Sequence, residues 1–301
     1  MRARQRRRKT IRRVTIIATI VIVAVSLGVG IYILSVANGP TAIDKFIGQA
    51  VSTSDITSLY KDSLQPYGPA PSTTMVGEVQ SNGGAALTSE GKPVVVYIGA
   101  EYCPYCAVQR WGLIMGLMRF GNFSGLQYMT SRPGDVGAGD YPTFTFVGAS
   151  YVSTYITFRS YEVDDRNGNS LTTVPSNYSV AWSSAGSSFP FMNFANSFTV
   201  PGSMIATPQD LTGENWTQVL TQISTSSGPG VEIRQSANLV TALICKLTNS
   251  EPASVCDVSP IAAQVSSLSA PAPGSLAFPQ QPAVAATPPQ VSQRPDHAAE
   301  V

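Results

Sequence analysis

Histidine is all but missing from this 301-residue chain: the single one, His297, sits in a terminal stretch of Pro, Ala, Ser and Gln. A Ser-His-Asp triad, a Cys-His nucleophile pair and a His-rich metal site are thereby excluded from the folded part. Charge is sparse as well, at 12% of residues. No glycine-rich phosphate loop and no internal repeat are visible. The carboxylates Asp164-Asp165, Asp135 and Asp140 lie among Gly, Asn or Pro and read as turn residues.

What is present is unevenly placed. Residues 1–13 hold eight of the 19 basic residues and no acidic one. The rest therefore sets eleven basic against 18 acidic residues, a mildly acidic body with no sign of a nucleic-acid surface. Val14–Val36 follows, 23 residues without a charge, long enough to cross a bilayer as a helix. Basic residues before it predict a cytoplasmic N-terminus and an extracytoplasmic body. The expectation is a single-pass cell-membrane protein held in lipid by residues 14–36. A cleaved signal peptide competes with it, because Ser35-Val36-Ala37 loosely resembles a cleavage site. The apolar stretch is, however, longer than a usual signal core.

The four cysteines, Cys103, Cys106, Cys245 and Cys256, all follow that segment. An even count outside the cytoplasm suits two disulfides. Cys103-Pro104-Tyr105-Cys106 comes just after the apolar run Val94-Val95-Val96-Tyr97-Ile98, at the expected junction of a buried strand and a helix. There the first thiol meets the unpaired N–H groups and dipole of a helix N-terminus, which stabilise a thiolate. The second thiol lies about one turn on, within reach of the first. The chemistry suggested is thiol–disulfide exchange, with Cys103 attacking and Cys106 resolving. A static disulfide is the plainer reading, and a four-cysteine zinc site the more elaborate one. No cofactor or metal is expected. Cys245 and Cys256 read by default as a structural disulfide, which for so short a loop contributes about 3 kcal/mol. A pair that shuttles electrons to Cys103 and Cys106 is the alternative.

Along the chain, residues 37–73 form a juxtamembrane spacer with some helix between Ala42 and Leu64. The main domain is expected over 74–257. A strand at Met75–Val79 and the strand Pro93–Ile98 precede a helix from Cys103 to Arg119, where Gly112 and Gly116 point to close packing on the sheet. Leu126–Ser131 is a further strand, and Thr143–Val163 holds two strands divided at Gly148-Ala149. Residues 164–188 read as a polar surface insertion. Phe189–Phe194 and Ser197–Ala206 form a hairpin, followed by amphipathic helices over Asn215–Ile223 and Ile233–Leu247. Residues 258–301 are expected to be disordered.

This order of elements resembles the thioredoxin superfamily. Ala100-Glu101-Tyr102-Cys103-Pro104-Tyr105-Cys106 looks like the thioredoxin motif with a glutaredoxin-style Pro-Tyr centre. Val96 through Cys106, Arg110-Trp111, Phe189-Pro190-Phe191 and the Cys245…Cys256 pair resemble the membrane-anchored, thioredoxin-like proteins of the domain-of-unknown-function 929 family. The resemblance covers about residues 74–257. It implies an α/β, three-layer fold with a central mixed sheet behind an N-terminal transmembrane helix. It also implies a cis-proline beside the dithiol. Pro190 has the better context for that role and Pro142, in Tyr141-Pro142-Thr143, is the alternative. Classical thioredoxins carry a buried Asp six residues before the first cysteine, where this chain has Tyr97.

The resulting expectation is a membrane-anchored, extracytoplasmic protein-disulfide oxidoreductase. Its partners would be protein thiols and disulfides and a membrane redox protein. Cys103, Cys106 and Pro190 would be catalytic. Glu101, Tyr102, Pro104 and Tyr105 would touch substrate or tune the thiols. Arg110, seven residues beyond Cys103, is a more distant tuning group, and Trp111 reads as core. A non-catalytic binding module and a copper(I) carrier remain as other classes.

Overall fold

The computed structural model describes residues 44–65 and 71–268. The expected basic segment 1–13 and membrane helix 14–36 lie outside the described residues, as does 269–301 of the expected tail. Among the described residues no helix is long and apolar enough to cross a membrane. The chain divides after Phe46 into two units, 1–46 and 47–301. Of the first, only the 3-10 turn Asp44–Phe46 is described.

In the second unit, α1 (Thr53–Ser63) and α2 (Thr73–Gly77) precede β1 (Gln80–Ser81), β2 (Thr88–Ser89) and β3 (Lys92–Gly99). Helix α3 (Pro104–Met118) leads to β4 (Gly121–Ser124), β5 (Gln127–Thr130), β6 (Pro142–Thr145), β7 (Ser150–Ser153) and β8 (Thr157–Glu162). Then come α4 (Ser176–Ser184), β9 (Phe191–Phe194), β10 (Phe198–Pro201), α5 (Trp216–Thr225), α6 (Pro229–Leu247), α7 (Ala253–Cys256) and α8 (Ile261–Ser267).

The fold is mixed α/β around a central mixed sheet. Strand β3 is its axis: β8 runs parallel to it, β9 antiparallel, and β10 and β1 extend the sheet beyond β9. The pleat sends alternate β3 residues to opposite faces. Val94, Val96 and Ile98 meet Val174 and Phe191 on one face, covered by Tyr178, Ala181 and Trp182 of α4. The stretch 164–188, expected to be a surface insertion, thus supplies a layer of the core. The opposite face carries Tyr97 toward α3, where the Arg110 guanidinium lies over its ring. Strands β4–β7 and β5–β6 form two separate hairpin-like pairs. Thr143–Val163 therefore holds three strands rather than two.

Two local expectations change. Residues 73–77 are helical rather than the start of a strand, because the Ser72 hydroxyl accepts the Met75 N–H and caps α2. Gly112 and Gly116 face α6, not the sheet. A Cβ on Gly116 would lie 2.6 Å from Val240 Cγ1, and one on Gly112 would lie 2.5 Å from Ser236 Oγ. The two glycines are four apart, so together they let the helices approach closely. Gly116→Ala is expected to destabilise the chain by about 1–3 kcal/mol through overpacking, read as a shift of the urea midpoint at unchanged slope.

Residues 48–65, part of the expected spacer, are tied into this unit. Gly48 N–H and Val51 N–H donate to Tyr128 and Leu126 carbonyls, and Tyr128 Oη donates to Asp55 Oδ2 at 2.6 Å. At the far end of α1, buried Arg119 donates to the Ser63 carbonyl and Arg234 to those of Asp62 and Gln65. Cations at a helix C-terminus complement its exposed carbonyls. Burial pushes Arg119 down to about 9, and neighbouring Arg234 adds to the effect. Beyond residue 257, α8 packs against α6 with Ile261 buried, so order continues past the expected end of the domain.

Candidate functional site

The dithiol forms where β3 ends and α3 begins. Cys103 is the N-cap of α3, with extended backbone, and its Sγ accepts the Cys106 N–H at 3.1 Å. Pro104 occupies the first turn, where its missing N–H costs nothing. Cys103 and Cys106 are free thiols, buried side by side with Ala100. Half-buried Tyr102, Tyr105 and Phe189 pack around them.

The two thiols are unequal. Hydrogen bonding from the Cys106 thiol lowers the Cys103 pKa most, helped by the N–H groups of Cys106 and Tyr105 and by Arg110, against burial. Burial pushes Cys106 well up, and its bond to Cys103 and the negative charge there push it further. This division suits an attacking thiolate and a protonated second thiol.

The Phe189–Pro190 peptide bond is cis and leads directly into β9. Phe189 touches the thiol cluster, which brings the Pro190 turn to the motif. Pro142 instead opens β6, and its carbonyl accepts the Trp111 indole N–H at 2.8 Å. Trp111 is fully buried, with its ring edge-on to Phe144. Cys245 and Cys256 are joined in a disulfide that links α6 to α7. Bonded in this way, they offer no thiolates to a zinc ion. Among the described residues no group of three or more His, Cys, Asp or Glu is placed to hold a metal.

Glu101 is buried, at 6% exposure, rather than solvated. Its Oε1 accepts the Thr145 hydroxyl of β6 at 2.6 Å. Burial raises its pKa, the Thr145 bond opposes this, and nearby Glu162 adds to the rise. Tyr102 stacks under the Arg132 guanidinium, 5.0 Å from its ring centroid, and its carbonyl accepts the Arg132 N–H. The loop after β5 is thereby pinned beside the motif.

Beneath the thiols lies a group that sequence reasoning largely missed. Arg110 is fully buried and donates from Nε and Nη2 to Glu162 at 2.9 and 2.7 Å. Nη2 also donates to the Ala100 carbonyl at 2.8 Å. Burial works against the Arg110 charge, but Glu162, Tyr97 and Cys106 outweigh it and hold the guanidinium protonated. Burial raises Tyr97 well above the ordinary phenol range. A buried carboxylate is thus present near the dithiol, supplied by Glu162 on β8 rather than by position 97. Glu162 is paired with Gly99 in the parallel register of β3 and β8. Nothing local in its sequence marks it. Arg110 was detectable: seven residues are almost two helical turns, so it shares a face with Cys103, and a helical side chain leans back toward the N-terminus.

Residues 80–182 match the family model described as Domain of unknown function (DUF929). That span holds both thiols, Arg110 and Glu162 and ends before Pro190. No curated protein and no solved structure matches the chain.

Proposed function

We propose that the chain is a membrane-anchored, extracytoplasmic thiol–disulfide oxidoreductase acting on exported proteins. The observation that carries this reading is the unequal dithiol at the α3 N-terminus, with Cys103 Sγ receiving the Cys106 N–H. The sheet order β10-β9-β3-β8, with the turn at Pro190 beside the thiols, supports a thioredoxin-like assignment. The charge-free run 14–36 behind eight basic residues supports the anchor.

In the reducing direction, the Cys103 thiolate attacks a substrate disulfide. A Cys103–substrate bond forms, and the first substrate sulfur leaves as a thiolate. Cys106 then displaces the second substrate sulfur and closes the Cys103–Cys106 bond. The substrate gains two electrons and the dithiol loses them. In the oxidising direction every step reverses.

The test uses the full-length chain in glutathione buffers of graded ratio, with alkylation and mass spectrometry reading each cysteine. Cys103 and Cys106 are expected to interconvert between dithiol and disulfide. A midpoint near about −120 to −180 mV would mark a disulfide donor or isomerase, and one near about −270 mV a reductase. A pair locked in one state at every ratio would overturn the proposal.

A further inference from the structure

The group beneath the dithiol contains two polar atoms that the reduced protein does not use. Arg110 commits Nε and Nη2 to Glu162 and Ala100, while Nη1 is buried without a partner. Tyr97 Oη, on the strand leading into the motif, is also buried and unpartnered. Buried polar atoms are nearly always paired, so two adjacent exceptions call for a cause. The Arg110 guanidinium lies 5.8 Å from the Tyr97 ring centroid. Cys106 and Arg110 are four residues apart on α3, which places them on one helix face. Tyr97 and Gly99 share a face of β3, and Gly99 is paired with Glu162. The charged and titratable groups around Cys106 are Tyr102 and the N-cap Cys103 just before α3, Tyr105 and Arg110 from α3, Tyr97 from β3, and Glu162 from β8 acting through Arg110. Glu101 lies at the edge of this group, bound to Thr145.

We propose that Arg110 Nη1 and Tyr97 Oη receive the negative charge that Cys106 carries as it displaces substrate from Cys103, with Glu162 as a positioning residue for the guanidinium. This rests on the exchange reading above. In that step the Cys106–Cys103 bond forms and the Cys103–substrate bond breaks. The electron pair leaves with the substrate sulfur. The proton that Cys106 released passes through solvent to that departing thiolate. Cys106 is the thiol in need of help, since burial and its bond to Cys103 both favour its protonated form. A neutral thiol is a weak acceptor, so both donors gain a strong partner only when charge is present. Stabilisation confined to that moment speeds the step, as a fixed donor pair does for an oxyanion.

The test is a titration of Cys106 in the full-length Cys103→Ser chain, read from the Cβ shift of carbon-13-labelled cysteine. Tyr97→Phe removes one hydroxyl and keeps the ring and its edge contact with Phe146. It is expected to raise the Cys106 midpoint by about half a pH unit, or about threefold less thiolate at a given pH. Arg110→Met combined with Glu162→Leu removes both charges at similar volume, and is expected to raise it by about one unit, or tenfold. With Cys103 intact, release of substrate from a pre-formed mixed disulfide slows by less, about twofold and about threefold, because thiolate nucleophilicity rises with pKa. A Cys106 midpoint unmoved in both variants would overturn the proposal, because a purely structural ion pair predicts that result. The titration needs no exchange activity, so it still reports if the exchange reading itself fails.

Discussion

Cys103→Ser is expected to reduce thiol–disulfide exchange to background, a loss of at least about a thousandfold, while leaving the fold intact. The thiolate is the nucleophile, and a serine hydroxyl in its place has no comparable anionic form near neutral pH. Cys103 is nearly isosteric with serine and its Sγ caps α3 by accepting the Cys106 N–H, a role in which a hydroxyl serves equally well. Cys106→Ser is expected to behave differently. It retains the attack and loses the resolution, so mixed disulfides through Cys103 accumulate and are visible by mass spectrometry. The pH dependence separates the thiols further. Alkylation of Cys103 is expected to reach half its limiting rate below the ordinary cysteine range, because hydrogen bonds from Cys106 and the Arg110 charge favour its thiolate. Cys106 is expected to stay protonated across that range. An unchanged exchange rate in Cys103→Ser would rule out this mechanism.

The largest expected effect on stability comes from Arg110→Ala. Arg110 and Glu162 are both buried and bonded at two points. Removing one partner strands the other charge away from water, at a cost of about 3–5 kcal/mol. The Ala100 carbonyl also loses its donor immediately before the motif. For a folded unit of this size the loss corresponds to a fall in Tm of roughly 6–20 °C. Arg110→Met with Glu162→Leu is expected to recover most of it, since replacing a buried pair by apolar residues is often neutral. Thermal unfolding of the two variants side by side is the check. Equal destabilisation in both would mean that packing, not the stranded charge, sets the cost.

Much of this organisation follows from local pattern. The continuous apolar run Val94–Ile98 marks β3 as a strand buried on both faces, and Cys103-Pro104-Tyr105-Cys106 marks the start of α3. Trp216, Val219, Leu220 and Ile223 show the buried stripe of α5, and Asn215 with Gln218 completes a capping box at its start. Other elements are not legible in this way. Met75–Val79 has strand-like residues, yet the Ser72 cap turns 73–77 into helix. The Asn- and Ser-rich stretch 164–188 has the composition of a surface, and that composition hides the helical i, i+3, i+4 spacing of Tyr178, Ala181 and Trp182, whose common face packs on β3. Gly112 and Gly116 announce a close approach without saying to what.

What the sequence determined by itself is the placement of the candidate site: two thiols one turn apart at a helix start, in a chain whose single histidine is His297. Strand–helix junctions are local, and the cap that sets Cys103 apart from Cys106 is made within four residues. What only the tertiary structure decided is the environment of that pair. Glu162 reaches Arg110 across 52 positions because β3 and β8 pair in one register, and a shift of one residue would turn its carboxylate to the other face. The same packing leaves Arg110 Nη1 and Tyr97 Oη buried without hydrogen-bond partners. Parallel pairing is a long-range choice set by the whole core, so no local pattern could announce it.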